Sequence, residues 1–210
     1  VPFSPESVLS GVSRQLQPDE YLWYRRSFIL TGWAGRRAEG HRLIVHFGAV
    51  DQACVVYVNG KKVVRHTGGY LPFEADITEA VQEGENELAA AVRDLSDTSY
   101  HARGKQKLKR GGMFYTAQSG IWQTVWMEEV PKHYIRSVET ETDPEKKMVR
   151  IRVDAGPGGD KAYGIKISVR SPGIYDSTDV SAEEAGADKE ILCDAEGRSR
   201  EWIEISLPEV

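Results

Sequence analysis

The residue types best suited to chemistry fall in one polar stretch, RDLSDTSYHARGKQ, residues 93 to 106. It sets the carboxylate of Asp97 among the hydroxyls of Ser96, Ser99 and Tyr100, and follows it with the cations Arg103 and Lys105. An ionised carboxylate accepts hydrogen bonds on both oxygens, so it can take two vicinal hydroxyls of one ligand at once. The same side chain is equally suited to capping its own loop. The sequence leaves both readings open. The Lys/Arg-rich run that continues to Arg110 reads first as a solvated loop, and second as a surface that docks a partner or contacts an acidic ligand.

No competent acid/base pair is visible elsewhere. Glu128 and Glu129 are adjacent in a strand pattern, where neighbouring side chains face opposite sides of the sheet. Asn86-Glu87 belongs to a Gly84-Glu85-Asn86 turn entering a strand. His66, beside Gly68-Gly69, has no second His or carboxylate at ligand spacing, so it reads as a strand-end histidine and no metal or cofactor is expected. Trp23, Trp122 and Trp126 lie in strand-like runs. The last two share a face by the period of two, which points all three to the core. Trp33, between Gly32 and Ala34-Gly35, is the ring expected at the surface. Cys54 and Cys193 sit far apart in strand-like runs and read as buried thiols rather than a disulfide framework.

The elements that must position these residues are strands. Period-two alternation recurs throughout, and no helical stripe is sustained. Runs near Tyr21 to Leu30, Arg42 to Phe47, Ala53 to Val58, Lys62 to His66, Tyr70 to Ile77, Glu87 to Arg93 and Ile121 to Met127 are short and bounded by Gly, Asn, Asp and Pro, as in a sandwich or jelly roll. Asn59-Gly60 between apolar runs is a type I′ hairpin signal. Asp76-Ile77-Thr78 is expected to start a brief helical turn that ends by Glu83 to Asn86. Val130-Pro131-Lys132 marks a boundary, after which HYIRSVETE, MVRIRVDA, YGIKISVR, KEILCDA and REWIEISL read as further strands, with loops at Asp154 to Asp160 and Ser181 to Asp188.

Charge divides at the same place. Residues 1–130 hold 15 basic and 15 acidic side chains, whereas residues 131–210 hold 12 and 17, so the second half carries the whole net charge of −5. That excess argues against nucleic acid as the main partner. No run reaches the roughly 18 apolar residues of a membrane helix. The compartment stays open between cytoplasm and a periplasmic or secreted location.

Taken in order, "LWYRRSFIL", "HRLIVHFGAVDQACVVYVNGKKVVRHTGGYLPFEADITEAVQEGENELAAAV" and "SGIWQTVWMEEVP" resemble the N-terminal sugar-binding domain of glycoside hydrolase family 2, over about residues 20 to 130. This is the family of bacterial beta-galactosidase, beta-glucuronidase and beta-mannosidase. The resemblance implies an all-β chain, a galactose-binding-like jelly roll over residues 1–130 followed by an immunoglobulin-like sandwich over 131–210. A catalytic (β/α)₈ barrel carrying the two catalytic carboxyls would lie further on. The family's closing "LW.P..P.LY" segment is not found before Val210, so the second sandwich is expected to be incomplete and the chain non-catalytic alone. In beta-galactosidases the loop at 93–106 carries "SDGSY", whose Asp reaches the sugar. By resemblance Asp97 is the first choice for a substrate contact, with Ser96, Tyr100, Arg103 and Lys105 around it. The implied partners are a beta-glycoside and the chain's own barrel. A stand-alone carbohydrate-binding module and a structural or homo-oligomer-forming domain are the alternatives.

Overall fold

The computed structural model describes residues 1–155, 163–170, 186–193 and 202–206. The chain divides into two compact units, Val1–Val130 and Pro131–Val210. In the first, alternation yields β1 (Leu22–Leu30), β2 (Arg42–Phe47), β3 (Val50–Asp51), β4 (Ala53–Val58), β5 (Lys61–Thr67), β6 (Phe73–Asp76) and β7 (Gly84–Arg93). After a long loop that contains β8 (Gln106–Lys107) and β9 (Tyr115–Thr116) come β10 (Gly120–Ile121) and β11 (Val125–Val130).

A four-stranded antiparallel sheet, β1-β7-β4-β5, is accompanied by a three-stranded antiparallel sheet, β11-β2-β6. Every second residue of the central strands joins one core: Leu43, Val45 and Phe47 from β2, Cys54, Val56 and Val58 from β4, Ala90 and Val92 from β7. Each fully buried aliphatic side chain here contributes roughly 1.5–3 kcal/mol. The β4–β5 hairpin turns on Asn59 (φ 49°) and Gly60 (φ 77°), both left-handed as a type I′ turn requires. Asn59 also reaches out of the turn. Its Nδ2 donates to Ala80 O (2.9 Å) and to Asn86 Oδ1 (2.7 Å), while its Oδ1 accepts from the Glu87 amide at 2.9 Å.

Three details differ from the sequence expectations. The stretch TGWAGRR is not a loop but leads into α1 (Trp33–Ala38), and Trp33 is 1% exposed within the core. The helical turn at Asp76–Thr78 is a single hydrogen-bonded turn from Ile77 O to the amides of Ala80 and Val81. The run IWQTVWM is split between β10 and β11, which leaves Trp122 36% and Trp126 46% exposed, and Trp23 on β1 is exposed too. None of these three is a core ring.

The second unit contains β12 (Ile135–Asp143), β13 (Met148–Ala155), β14 (Tyr163–Arg170), β15 (Gly186–Cys193) and β16 (Ile203–Ser206). They pair as β12-β13-β16 and β14-β15, all antiparallel. Ile151, Val153 and Ile205 form the buried centre of this unit among the described residues. Gly186 to Asp188, expected in a loop, open β15. Asp154 and Ala155, also expected in a loop, close β13 instead, and the rest of the two expected loops, residues 156–160 and 181–185, lies outside the described residues. The described chain is all-β apart from α1 and two short 3₁₀ turns. No helix among the described residues is long and apolar enough to cross a membrane.

Candidate functional site

Where β7 ends, its partner strand ends too, and the backbone needs a new partner. Asp94 supplies one: its buried carboxylate accepts from the Ser96 amide at 2.7 Å. That contact turns the chain into a 3₁₀ turn, Ser96–Thr98, with Ser96 at φ 47°. Asp97 then reaches across the loop, and its Oδ1 accepts from the Leu108 amide at 3.0 Å. The Leu108 amide, with the charges of Arg103 and Lys107, holds the Asp97 carboxyl below its ordinary range. Asp97 is therefore ionised at neutral pH and caps its own loop, one of the two roles that its sequence setting left open.

The other sequence candidates separate around it. Ser96 is buried, and its Oγ has no hydrogen-bond partner. Tyr100 is the opposite, almost fully exposed and stacked on His101 at 4.7 Å. Arg103 folds back, donating through Nη1 to Ser99 O at 3.2 Å, with its Nε buried and unpartnered. Lys105 lines an open groove of about 570 Å³ with Gln106, Tyr115, Thr116 and Gln118. The loop thus brings Asp97, Arg103 and Lys107 into one electrostatic neighbourhood and sends Tyr100 outward.

Sequence reasoning passed over Asp51. It ends the two-residue strand β3, paired with Gly120 of β10, and is only 8% exposed. No donor among the described residues bonds its carboxylate. Burial, then the charges of Asp94 and Glu6, push its pKa up to about 7. Glu6 closes the group: Oε1 accepts from Ser119 Oγ (2.6 Å) and the Leu16 amide (3.2 Å), and Oε2 from the Ser119 amide (3.1 Å). Gly69 passes directly over Asp51, where a Cβ would stand 2.5 Å from Oδ1. Gly69 O in turn accepts from Trp122 Nε1 at 2.8 Å. Beside this strap, burial raises the Tyr70 hydroxyl, helped by the charges of Asp51 and Asp94. The available signal was a lone acid inside the apolar run Ala49 to Val58.

Asp51 and Asp94 are thus buried carboxyls raised by their surroundings, whereas Asp97, three residues beyond Asp94, is held low. Ionised Asp97 only accepts hydrogen bonds. Protonated Asp51 both donates and accepts. Environments that drive neighbouring carboxyls apart in pKa are typical of functional sites.

The remaining acids are structural. Glu129 pairs with Arg36 (2.9 Å) and His41 (2.8 Å), and Glu128 with His46 (3.2 Å). Asn86 is buried, its amide donating to Gln82 O and Gly84 O. His66 stacks on Phe73 at 4.1 Å with Nε2 3.1 Å from Gly68 O. Among the described residues no group of three or more His, Cys, Asp or Glu is placed to hold a metal.

Against known proteins, the model of the glycosyl hydrolases family 2 sugar binding domain matches residues 12–131. The beta-galactosidase of Thermoanaerobacter pseudethanolicus is 35% identical over 117 residues, 55% of this chain and 14% of that protein. Human beta-glucuronidase is 25% identical over 166 residues, 70% of this chain and 25% of that protein. Among solved structures, a Bacteroides uniformis beta-glucuronidase superposes with a TM-score of 0.62 at 20% identity, covering 89% of this chain and 21% of its own. An uncultured Clostridium sp. beta-glucuronidase gives a TM-score of 0.58 at 22% identity, covering 90% and 30%. The chain spans at most about a third of the length of each of these proteins.

Proposed function

The chain belongs to glycosyl hydrolase family 2 through its sugar binding domain, and from that premise we propose that it is the non-catalytic N-terminal portion of a beta-galactosidase-like enzyme. In this reading residues 131–210 belong to the family's immunoglobulin-like domain, and the catalytic barrel is a separate part of the parent polypeptide. The first unit supports that barrel and lends it the 94–119 loop as a wall of the substrate site. The observation that carries the reading is the loop that follows β7: an ionised Asp97 tied to the Leu108 amide, three residues after the buried Asp94 whose carboxyl is raised.

Two measurements test it. The 210-residue chain is expected to turn over neither nitrophenyl beta-galactoside nor nitrophenyl beta-glucuronide; turnover by pure chain overturns the reading. In the parent enzyme, Asp97→Ala is expected to lower kcat/KM by roughly 10² if the contact tightens in the transition state. Asp97→Asn retains the Oδ1 acceptor for Leu108 while removing the charge. Full activity in Asp97→Asn would confine Asp97 to its loop-capping role.

A further inference from the structure

We propose that the groove lined by Trp122, Trp126, Tyr70 and Pro72 is a second carbohydrate site, which stacks on the apolar faces of pyranose units, separate from the substrate contact proposed for the Asp97 loop. It rests on the reading that the ligand is a glycoside, and it assigns a site which that reading does not require.

The groove has a volume of about 560 Å³, within the range of small-molecule sites. Three aromatic side chains line it, although each would normally contribute its large apolar area to the core. Here they are held half in water, with Trp122 36% and Trp126 46% exposed. Their positions are fixed. Trp122 Nε1 donates to Gly69 O at 2.8 Å, and its ring meets Tyr70 edge-on with centroids 6.3 Å apart. Trp126 lies parallel to His46 at 4.8 Å and 7°. His46 is itself held between Glu74 (3.4 Å) and Glu128 (3.2 Å). Rings immobilised before binding lose little freedom on contact, so more of the stacking energy reaches the affinity.

The lining is not uniformly apolar. Gln123 and Thr124 stand between the two tryptophans, and the Gln123 side chain packs over Gly48, where even a Cβ would collide with it. Flat rings interleaved with an amide and a hydroxyl suit a sugar, whose ring face is C–H and whose rim is hydroxyl. A protein surface covering this groove would leave those polar groups to be paired one by one. The groove is braced from beneath, because Gly69, which passes over the buried Asp51, accepts from Trp122 Nε1, and Tyr70 follows it directly.

The test titrates the 210-residue chain by calorimetry with β-1,4-galactotetraose and with cellotetraose, and repeats the titration with methyl β-galactoside. Saturable binding of a tetraose is expected, with the methyl glycoside bound at least tenfold more weakly. Trp126→Ala should raise Kd about tenfold, the change that ~1.4 kcal/mol produces. Trp126→Phe and Tyr70→Phe should retain most of the affinity. Thermal melts of each variant show that the sandwich is intact, and Trp126 is used rather than Trp122 because Trp122 also anchors the Gly69 strap. No saturable binding of either tetraose at 10-millimolar order overturns the proposal, as does tetraose binding that Trp126→Ala leaves unchanged. The first result is what a groove built for a protein contact would give. Asp97→Ala in the parent enzyme keeps the two ideas apart: its failure to alter hydrolysis removes the loop, while insensitivity to Trp126→Ala removes the groove.

Discussion

Asp51 is a buried acid whose surroundings disfavour its charge. Its carboxyl is raised from 3.8 to about 7 by burial and by the facing charges of Asp94 and Glu6, with the Tyr70 hydroxyl close enough to feel its charge. A raised acid pKa means that, between about pH 4 and 7, the unfolded chain releases a proton which the folded chain keeps. Stability therefore falls across that window and levels off above it. Three units amount to about 4 kcal/mol at most. Asp51→Asn removes the titration, so its melting temperature should exceed that of the unmodified chain at pH 8 and converge with it near pH 4. A difference that stays constant with pH would show that Asp51 is not the titrating group. Asp97 has the opposite sign: its tie to Leu108 is present at neutral pH and is lost as pH falls through its lowered pKa. Of these two acids the sequence made Asp97 visible, because it stands in a polar loop. Asp51 was hidden, because its raised pKa arises first from burial and then from Asp94 and Glu6, which are distant in the chain and meet it only in the fold.

At the level of elements, one buried amide ties the turn of the β4–β5 hairpin to β7. Asn86 accepts on Oδ1 from Asn59 Nδ2 (2.7 Å) and the Gln82 amide (2.8 Å), and donates to Gln82 O and Gly84 O, both at 2.9 Å. Asn86→Ala strands those partners in a buried setting and is expected to cost about 2–4 kcal/mol in urea unfolding with an unchanged m value. Asn59→Ala should cost less, and the double variant less than the sum, since the two share a bond. A cost below 0.5 kcal/mol for Asn86→Ala would mean that water replaces the network. The hairpin itself was legible, since Asn-Gly is a local signal. The tryptophans were not. Reading IWQTVWM as one strand assumes unbroken pairing, whereas β10 pairs with β3 and β11 with β2, and the residues between them reset the alternation. Trp33 was missed for a related reason. Two glycines make its segment look like a loop, but the Glu83 carboxylate accepts from the Gly32 (2.6 Å) and Ala34 (3.1 Å) amides and so caps α1 from elsewhere in the chain.

Among the described residues of the whole molecule, the two units differ in how much apolar surface they close. The first has a continuous core from Trp33 to Ile121, while the described centre of the second is Ile151, Val153 and Ile205 with partly buried neighbours. Burial sets local opening energies. Hydrogen exchange on the 210-residue chain should therefore show the slowest amides in β2, β4 and β7 and faster exchange through β12, β13 and β16. Equal protection in both units would contradict that ranking. The thiol of Cys54 gives this difference a practical use. It is enclosed in the first core, and burial raises its pKa to about 11. Only thiolates alkylate readily. Iodoacetamide should thus leave Cys54 untouched while the sandwich is shut, and the rate at which the label appears becomes a clock for how often that half of the molecule comes apart.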